Sequence, residues 1–417
     1  MELSTEISNN KKWITKVNSY LLLVISFLFP IYQKIIPILL FTWFITSLFL
    51  IDYKTYISSL KKKIGVLVMT LFFALHLLSL FYSNNLKSGF FDIEVKSTFL
   101  LLPLVMPFIS IKYEFKFKSI LLSFIAGNSI ASLICLGHSF FLLFAYNASF
   151  QYFTYTDLSI LMAHPTYFAI YICFSIASAV YLLKKKEITN SKLKISLYIT
   201  IPFLFMMVYL LSSKAGLIAL LLLMIVWAIP FIKKNLYSKI IATVIFFLIT
   251  IVILKNDRFS VLPATIKEIF SSNKKTQAVD VNESTNERIV IWRSSIHIIK
   301  ENLFFGVGTG DVKDELINNY KKINFRLGVE RKFNAHNQFI ETTIGLGLIG
   351  LISLLLIFLT LTKLGIQESD ILKIGFVVIL FINLLFESVL NTQAGVLFFT
   401  FFYSVLISKN GNQFLKR

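Results

Sequence analysis

A few polar side chains in this chain of 417 residues stand where polarity is costly, because 56% of the chain is hydrophobic and only 15% is charged. The clearest is His336, in "FNAHNQFIETTIGLGLIG", where a long apolar helix begins. Asn334 is placed to cap that helix, which puts His336 in its first turn. Backbone N–H groups are unpaired there and the helix dipole is positive, so the position attracts anions and favours a neutral imidazole. A neutral histidine can take a proton as a general base or donate a hydrogen bond to a phosphate. Arg288 and Lys214 add positive charge, and the planar fork of arginine suits phosphate. Together the three are suited to a phosphorylated substrate.

Other residues border apolar runs in the same way. His164 opens one in "MAHPTYFAIY", and Glu387 lies near the end of another in "LLFESVLN". Arg293 shares a helix with Arg288, and Asn337 adjoins His336. Each also has an ordinary reading: Lys214 as a solvated turn residue, His164 as an interfacial aromatic, Arg293 as part of a solvated face. The weight lies in their falling on one side of the membrane. His76 and His138 lie deeper in apolar runs and read as structural. "FDIEVK" brings Asp92 and Glu94 to a spacing that metal-dependent enzymes use, but no acid cluster supports it, so no metal is expected. "GVGTG" has no following Lys-Ser/Thr and reads as a helix-ending turn, not a phosphate loop. No cofactor is implied.

The elements that must position these residues are membrane spans. Apolar runs of roughly 17–25 residues match a ~30 Å hydrocarbon layer, and twelve spans are expected, near 17–30, 32–50, 64–82, 97–111, 119–145, 161–183, 195–212, 215–232, 239–254, 336–362, 372–390 and 394–408. The fold class is therefore an all-α polytopic membrane protein. A net charge of +19 raises nucleic acid as a partner. Most Lys and Arg nevertheless sit in connectors on one side, including 61–63 and 184–186, as the positive-inside rule requires, so membrane lipid is expected and nucleic acid is not. Both termini then face the cytoplasm. Lys11, Lys12 and Lys16 precede an uncleaved first helix. Cys135 and Cys173, both within spans, act as small hydrophobes.

Three regions follow: an N-terminal bundle over 1–254, an external loop over 255–335, and a C-terminal bundle over 336–417. The middle of the loop is polar. Its later part has apolar residues at 289, 292, 296, 299 and 303, spaced as one face of an amphipathic helix. Asp311 is placed to cap the helix after it. This topology puts His336, Lys214, His164 and Glu387 at external ends of spans.

"ERIVIWRSSIHIIKENLFFGVGTG", followed some 25 residues later by "FNAHNQFIETTIGLGLIG", resembles the signature of the O-antigen ligase and Wzy polymerase superfamily. "AHPTYFA" and "LFESVLNTQAGVLFF" also resemble versions found there. The resemblance implies a GT-C-like, metal-independent glycosyltransferase at the periplasmic face of the bacterial inner membrane. Its donor is a glycan on undecaprenyl diphosphate. A ligase passes the glycan to a sugar hydroxyl of lipid A-core; a polymerase passes it to another lipid-linked repeat. The resemblance places the catalytic histidine on His336 and an essential arginine on Arg288. Arg293, Asn337, His164 and Glu387 are expected around the diphosphate or glycan. The family's second arginine follows a serine pair as "SSR", and here that position is Lys214. The ligase reading is favoured by the "HN" motif with its glycine turn. A transporter or flippase of lipid-linked sugars is the alternative of another class, and its cationic residues would lie near the bilayer midplane.

Overall fold

The computed structural model describes residues 2–51, 64–112, 116–162, 164–232, 247 and 284–409. Among the described residues all regular structure is helical, as the sequence requires. The helices are α1 (Glu2–Leu28), α2 (Ile36–Leu48), α3 (Ile64–Ser79), α4 (Leu86–Lys96), α5 (Thr98–Lys112), α6 (Phe117–Tyr146), α7 (Tyr155–Leu158), α8 (Pro165–Lys184), α9 (Ser191–Leu210), α10 (Lys214–Ile232), α11 (Ser284–Glu301), α12 (Val312–Lys322), α13 (Arg326–Arg331), α14 (Gln338–Gln367), α15 (Ile371–Phe386) and α16 (Gln393–Ser408).

Among the described residues, five stretches are long and apolar enough to cross a membrane alone: Ile64–Tyr82, Phe117–Tyr146, Pro165–Lys184, Ser191–Leu210 and Gln338–Gln367. Four shorter apolar helices lie at Gln33–Leu48, Lys214–Ala228, Ile371–Phe386 and Gln393–Ser408. Apart from Phe247, the expected span 239–254 and the loop stretch 255–283 lie outside the described residues.

Lipid gives helices no hydrophobic reason to associate, so their packing must supply the energy. Here α8 is the centre, buried along nearly its whole length. Phe398 of α16 stacks on Tyr171 of α8 with ring centroids 4.5 Å apart. Phe402 meets Phe124 of α6 at 4.5 Å and Phe174 of α8 at 4.7 Å. Such aromatic pairs contribute ~0.5–1.5 kcal/mol each beyond simple burial. Charged groups at the far end of α15 are paired as well, with Lys373 Nζ 2.8 Å from Glu368.

The loop helices α11 to α13 form a second, smaller core around Ile291, Ile298, Leu316, Tyr320 and Phe325. The buried stripe of α11 differs from the expected one. Ile291, Ser294, Ser295 and Ile298 face inward, whereas Ile296 and Leu303 are exposed. Asn319 of α12 donates from its side chain to Ser294 O at 2.8 Å. Ser294 and Ser295 thus share the inward face with Ile291 and Ile298, and Ile296 is left outward as on an interfacial helix. Asp311 also departs from expectation. It precedes α12 but does not cap it; its carboxylate accepts the Asn84 and Asn85 N–H groups at 2.7 Å each.

The glycine turn after α11 does more than end a helix. α14 is broken at Gly347, whose φ is +63°. The carbonyls freed at Ile344 and Gly345 accept the N–H groups of Val307 (2.8 Å) and Gly308 (3.0 Å), while Leu348 N–H donates to Leu303 O at 2.9 Å. The turn is therefore wedged into the break and satisfies backbone groups that lipid could not. A Cβ on Gly306 would lie 2.5 Å from the Gly345 carbonyl carbon, and one on Gly347 would lie 2.2 Å from that of Phe304. This close approach accounts for glycines in both the "GVGTG" and "GLGLIG" stretches.

Candidate functional site

His336 precedes the helix it was expected to enter. The cap of α14 is Asn337, whose Oδ1 accepts Ile340 N–H at 3.1 Å. Asn334 Oδ1 instead accepts the His336 N–H at 2.9 Å, two residues on. His336 itself has φ +45°, in the left-handed region. Such a conformation in a non-glycine residue is uncommon, and it persists where surrounding contacts determine it. Two such contacts act on Ala335: its N–H donates to Glu341 Oε2 at 2.7 Å, and its carbonyl accepts Trp292 Nε1–H at 2.9 Å. The turn thus aims the imidazole sideways, toward the end of α15.

There His336 Nδ1 lies 3.2 Å from each carboxylate oxygen of Glu387. Glu387 follows the last residue of α15, where the chain turns extended, and its Oε1 also accepts Ser388 N–H at 3.2 Å. Burial alone would raise its carboxyl pKa. The hydrogen bond and charge of His336, then the charges of His164 and Arg288, outweigh burial and hold it below its ordinary value. An ionised carboxylate only accepts, so the Nδ1 facing it carries a proton, and Nε2 is the ring nitrogen left to face a substrate. The His336 side chain keeps 26% of its surface against 12% for Glu387, so the imidazole can meet a substrate and the carboxylate lies behind it.

His164 caps α8, its Nδ1 accepting Thr166 N–H at 3.2 Å. Lys214 begins α10. Beside it, Ser213 Oγ donates to Thr166 Oγ1 at 3.4 Å, which joins the start of α10 to that of α8. Thr392 Oγ1, capping α16, donates to the Tyr167 hydroxyl at 2.9 Å. The starts of α8, α10, α14 and α16 and the end of α15 are therefore linked at one end of the bundle, with Arg288 close enough for its charge to act on Glu387.

Of the expected residues, His336, Glu387, His164 and Arg288 come together, and Lys214 adjoins them through Ser213. Asn337 is buried and occupied as a cap. Arg293 lies on the exposed side of α11 and is not brought into the group. Asp92 and Glu94 do not converge: Glu94 is exposed, and Asp92 turns inward to Lys96, Thr309 and His76. Burial would raise the Asp92 carboxyl, but Lys96 and then His76 hold it well below the usual range. That network fastens the glycine turn to α3 and α4, with His76 Nδ1 3.1 Å from Thr309 Oγ1. Among the described residues no three His, Cys, Asp or Glu gather as a metal site needs.

Glu341 was missed, although a lone acid one turn into an apolar helix is visible in the sequence. Also hidden was an apolar cleft of about 320 Å³ between α10, α14 and α15, lined by Leu222, Leu355, Phe358, Val377 and Phe381. Phe339, three residues past His336, packs on Phe381 with centroids 5.1 Å apart, so the apolar lining continues toward the histidine.

Residues 199–355 match the Wzy_C family model, described as O-Antigen ligase. The matched stretch includes Lys214, Arg288, Arg293, His336, Asn337 and Glu341, and it supports the superfamily to which the motifs point. No curated protein matches the chain.

Proposed function

We propose that this chain is an O-antigen ligase-type glycosyltransferase, moving a glycan from an undecaprenyl-diphosphate carrier to a sugar hydroxyl of lipid A-core. The reading rests above all on the His336–Glu387 pair, with the charges of His164 and Arg288 acting on its carboxylate. In this proposal twelve spans of GT-C-like arrangement cross the bacterial inner membrane. The bundles are 1–254 and 336–417, the loop 255–335 is periplasmic, and both termini are cytoplasmic.

The polyprenyl tail occupies apolar surface between helices, and the cleft of α10, α14 and α15 is of the right character. The diphosphate lies among Arg288, Lys214 and the start of α14, with His164 and Asn337 around it and Arg293 toward the glycan. Cationic side chains and helix-end N–H groups, not a divalent ion, serve as its countercharge. The acceptor hydroxyl attacks the anomeric carbon opposite the diphosphate. The C–O bond to the carrier phosphate breaks as the new glycosidic bond forms, with inversion. The hydroxyl proton passes to His336 Nε2, and Glu387 steadies the resulting imidazolium through Nδ1–H. Diphosphate leaves readily, so positioning and charge neutralisation supply much of the rate.

The test is transfer of lipid-linked glycan by purified His336→Ala and Arg288→Ala protein; near wild-type turnover in both would sink the assignment. Lipopolysaccharide from a deletion strain then separates the two reactions of the superfamily. Loss of all attached glycan identifies a ligase, and one attached repeat identifies a polymerase.

A further inference from the structure

We infer that Glu341 is the positioning residue that holds His336 and Glu387 in register, an assignment that rests on the reading of that pair given above. Its carboxylate is buried within the first turns of α14 and accepts from two different chain segments. Ala335 N–H, immediately before His336, donates to Oε2 at 2.7 Å. Ser388 Oγ, immediately after Glu387, donates to the same oxygen at 3.4 Å. Asn391 Nδ2, three residues further, donates to Oε1 at 2.7 Å. One side chain is thus tied one residue away from each member of the pair.

The chemistry explains why an acid stands here. Ala335 N–H and the Asn391 amide are donors aimed at different oxygens of one group. A glutamine in its place has a single acceptor oxygen, so its NH₂ would be turned against one of those donors. The carboxylate accepts both and also sets the Ala335 peptide, whose other side is held by Trp292. That peptide fixes where the left-handed His336 begins. The neighbouring Gln338 adds a parallel tie by accepting Leu390 N–H at 2.7 Å through Oε1. Glu341 touches no reacting atom in this arrangement; it acts through the positions of the two residues that do.

The experiment uses full-length protein in lipid nanodiscs with lipid-linked glycan as donor. Glu341→Gln is expected to lower kcat on the order of 10–100-fold, as a misplacement near 1 Å does, while KM for the donor stays within about twofold. Adding Asn391→Asp is expected to restore most of kcat, because the amide at 341 then donates to the carboxylate at 391 and its oxygen is free for Ala335. Asn391→Ala, a milder change, is expected to give an intermediate loss should Glu341→Gln not fold. A second readout needs no turnover. The chain has five histidines, and the His336 imidazole signal, assigned by its loss in His336→Ala, is expected to move in Glu341→Gln toward its place in Glu387→Gln. Wild-type kcat in Glu341→Gln, loss without rescue by the second change, or an unmoved signal would each overturn the inference. Full activity in His336→Ala would instead overturn the catalytic reading, while the imidazole signal would still report the positioning.

Discussion

Glu387 meets His336 Nδ1 with both carboxylate oxygens at 3.2 Å, across 51 residues of sequence. The contact fixes the ring and leaves Nε2 as its basic nitrogen. Two substitutions separate the proton transfer from the support for it. His336→Ala is expected to cost on the order of 10²–10⁴-fold in turnover, the range of a general base. Glu387→Gln can still accept Nδ1–H but loses the charge that steadies an imidazolium, so a smaller loss is expected. Single-turnover transfer of lipid-linked glycan measures both, and wild-type turnover in Glu387→Gln would assign His336 a role that does not need the carboxylate.

The same contact makes stability depend on acid. Glu387 is held below its ordinary value of 4.5 despite its burial. A carboxyl with a depressed folded pKa binds protons more weakly folded than unfolded. Its stabilising contribution is therefore complete above the ordinary carboxylate range and is lost as pH falls through the folded value. Thermal unfolding in detergent is expected to show wild type ahead of Glu387→Gln at pH 7, with the gap closing as pH is taken below 4.5. A constant gap would mean that the charge of Glu387 contributes nothing.

The wedge of residues 303–308 in the α14 break yields a third test. Gly306→Ala puts a methyl group 2.5 Å from backbone and demands a left-handed alanine. Strain of that kind costs about 1–3 kcal/mol even before the clash. A lowered melting temperature and faster proteolysis between α11 and α12 are expected. Gly137→Ala is the control, since a Cβ there meets nothing within 4 Å. Equal behaviour of the two variants would mean that the turn is not docked.

What could be read in advance follows from the range of the forces involved. Apolar runs of span length are a local property, so the helical membrane class was legible, and so was the placing of His336, His164 and Glu387 at the ends of apolar helices. The cap of α14 was not. Asn334 and Asn337 are equally good caps by type, and the choice is made by bonds from Trp292 and Glu341 to Ala335. The inward face of α11 was likewise set by α12, whose Asn319 bonds the Ser294 carbonyl and whose Leu316 and Tyr320 pack with Ile291 and Ile298. Asp311 was placed to cap α12, and the backbone N–H groups of Asn84 and Asn85, just before α4, took its carboxylate instead. In each case the sequence offered the right residue types, and a contact far along the chain selected among them.

Lys214 tests whether charge or geometry matters at the anion site, because the related pattern carries arginine there. The residue opens α10 beside Ser213, whose hydroxyl reaches Thr166 at the start of α8. A lysine supplies a point charge, whereas arginine supplies two parallel donors. Hydrogen bonds to charged groups contribute about 1.5–3 kcal/mol, so Lys214→Ala is expected to raise KM for the lipid-linked donor about tenfold or more. Lys214→Arg keeps the charge and adds the fork, and KM is expected to stay level or fall. Steady-state transfer with the donor varied and the acceptor saturating makes the comparison. If Lys214→Ala leaves KM unchanged, the lysine is a solvated turn residue, and the diphosphate must be held by Arg288 and the start of α14 without it.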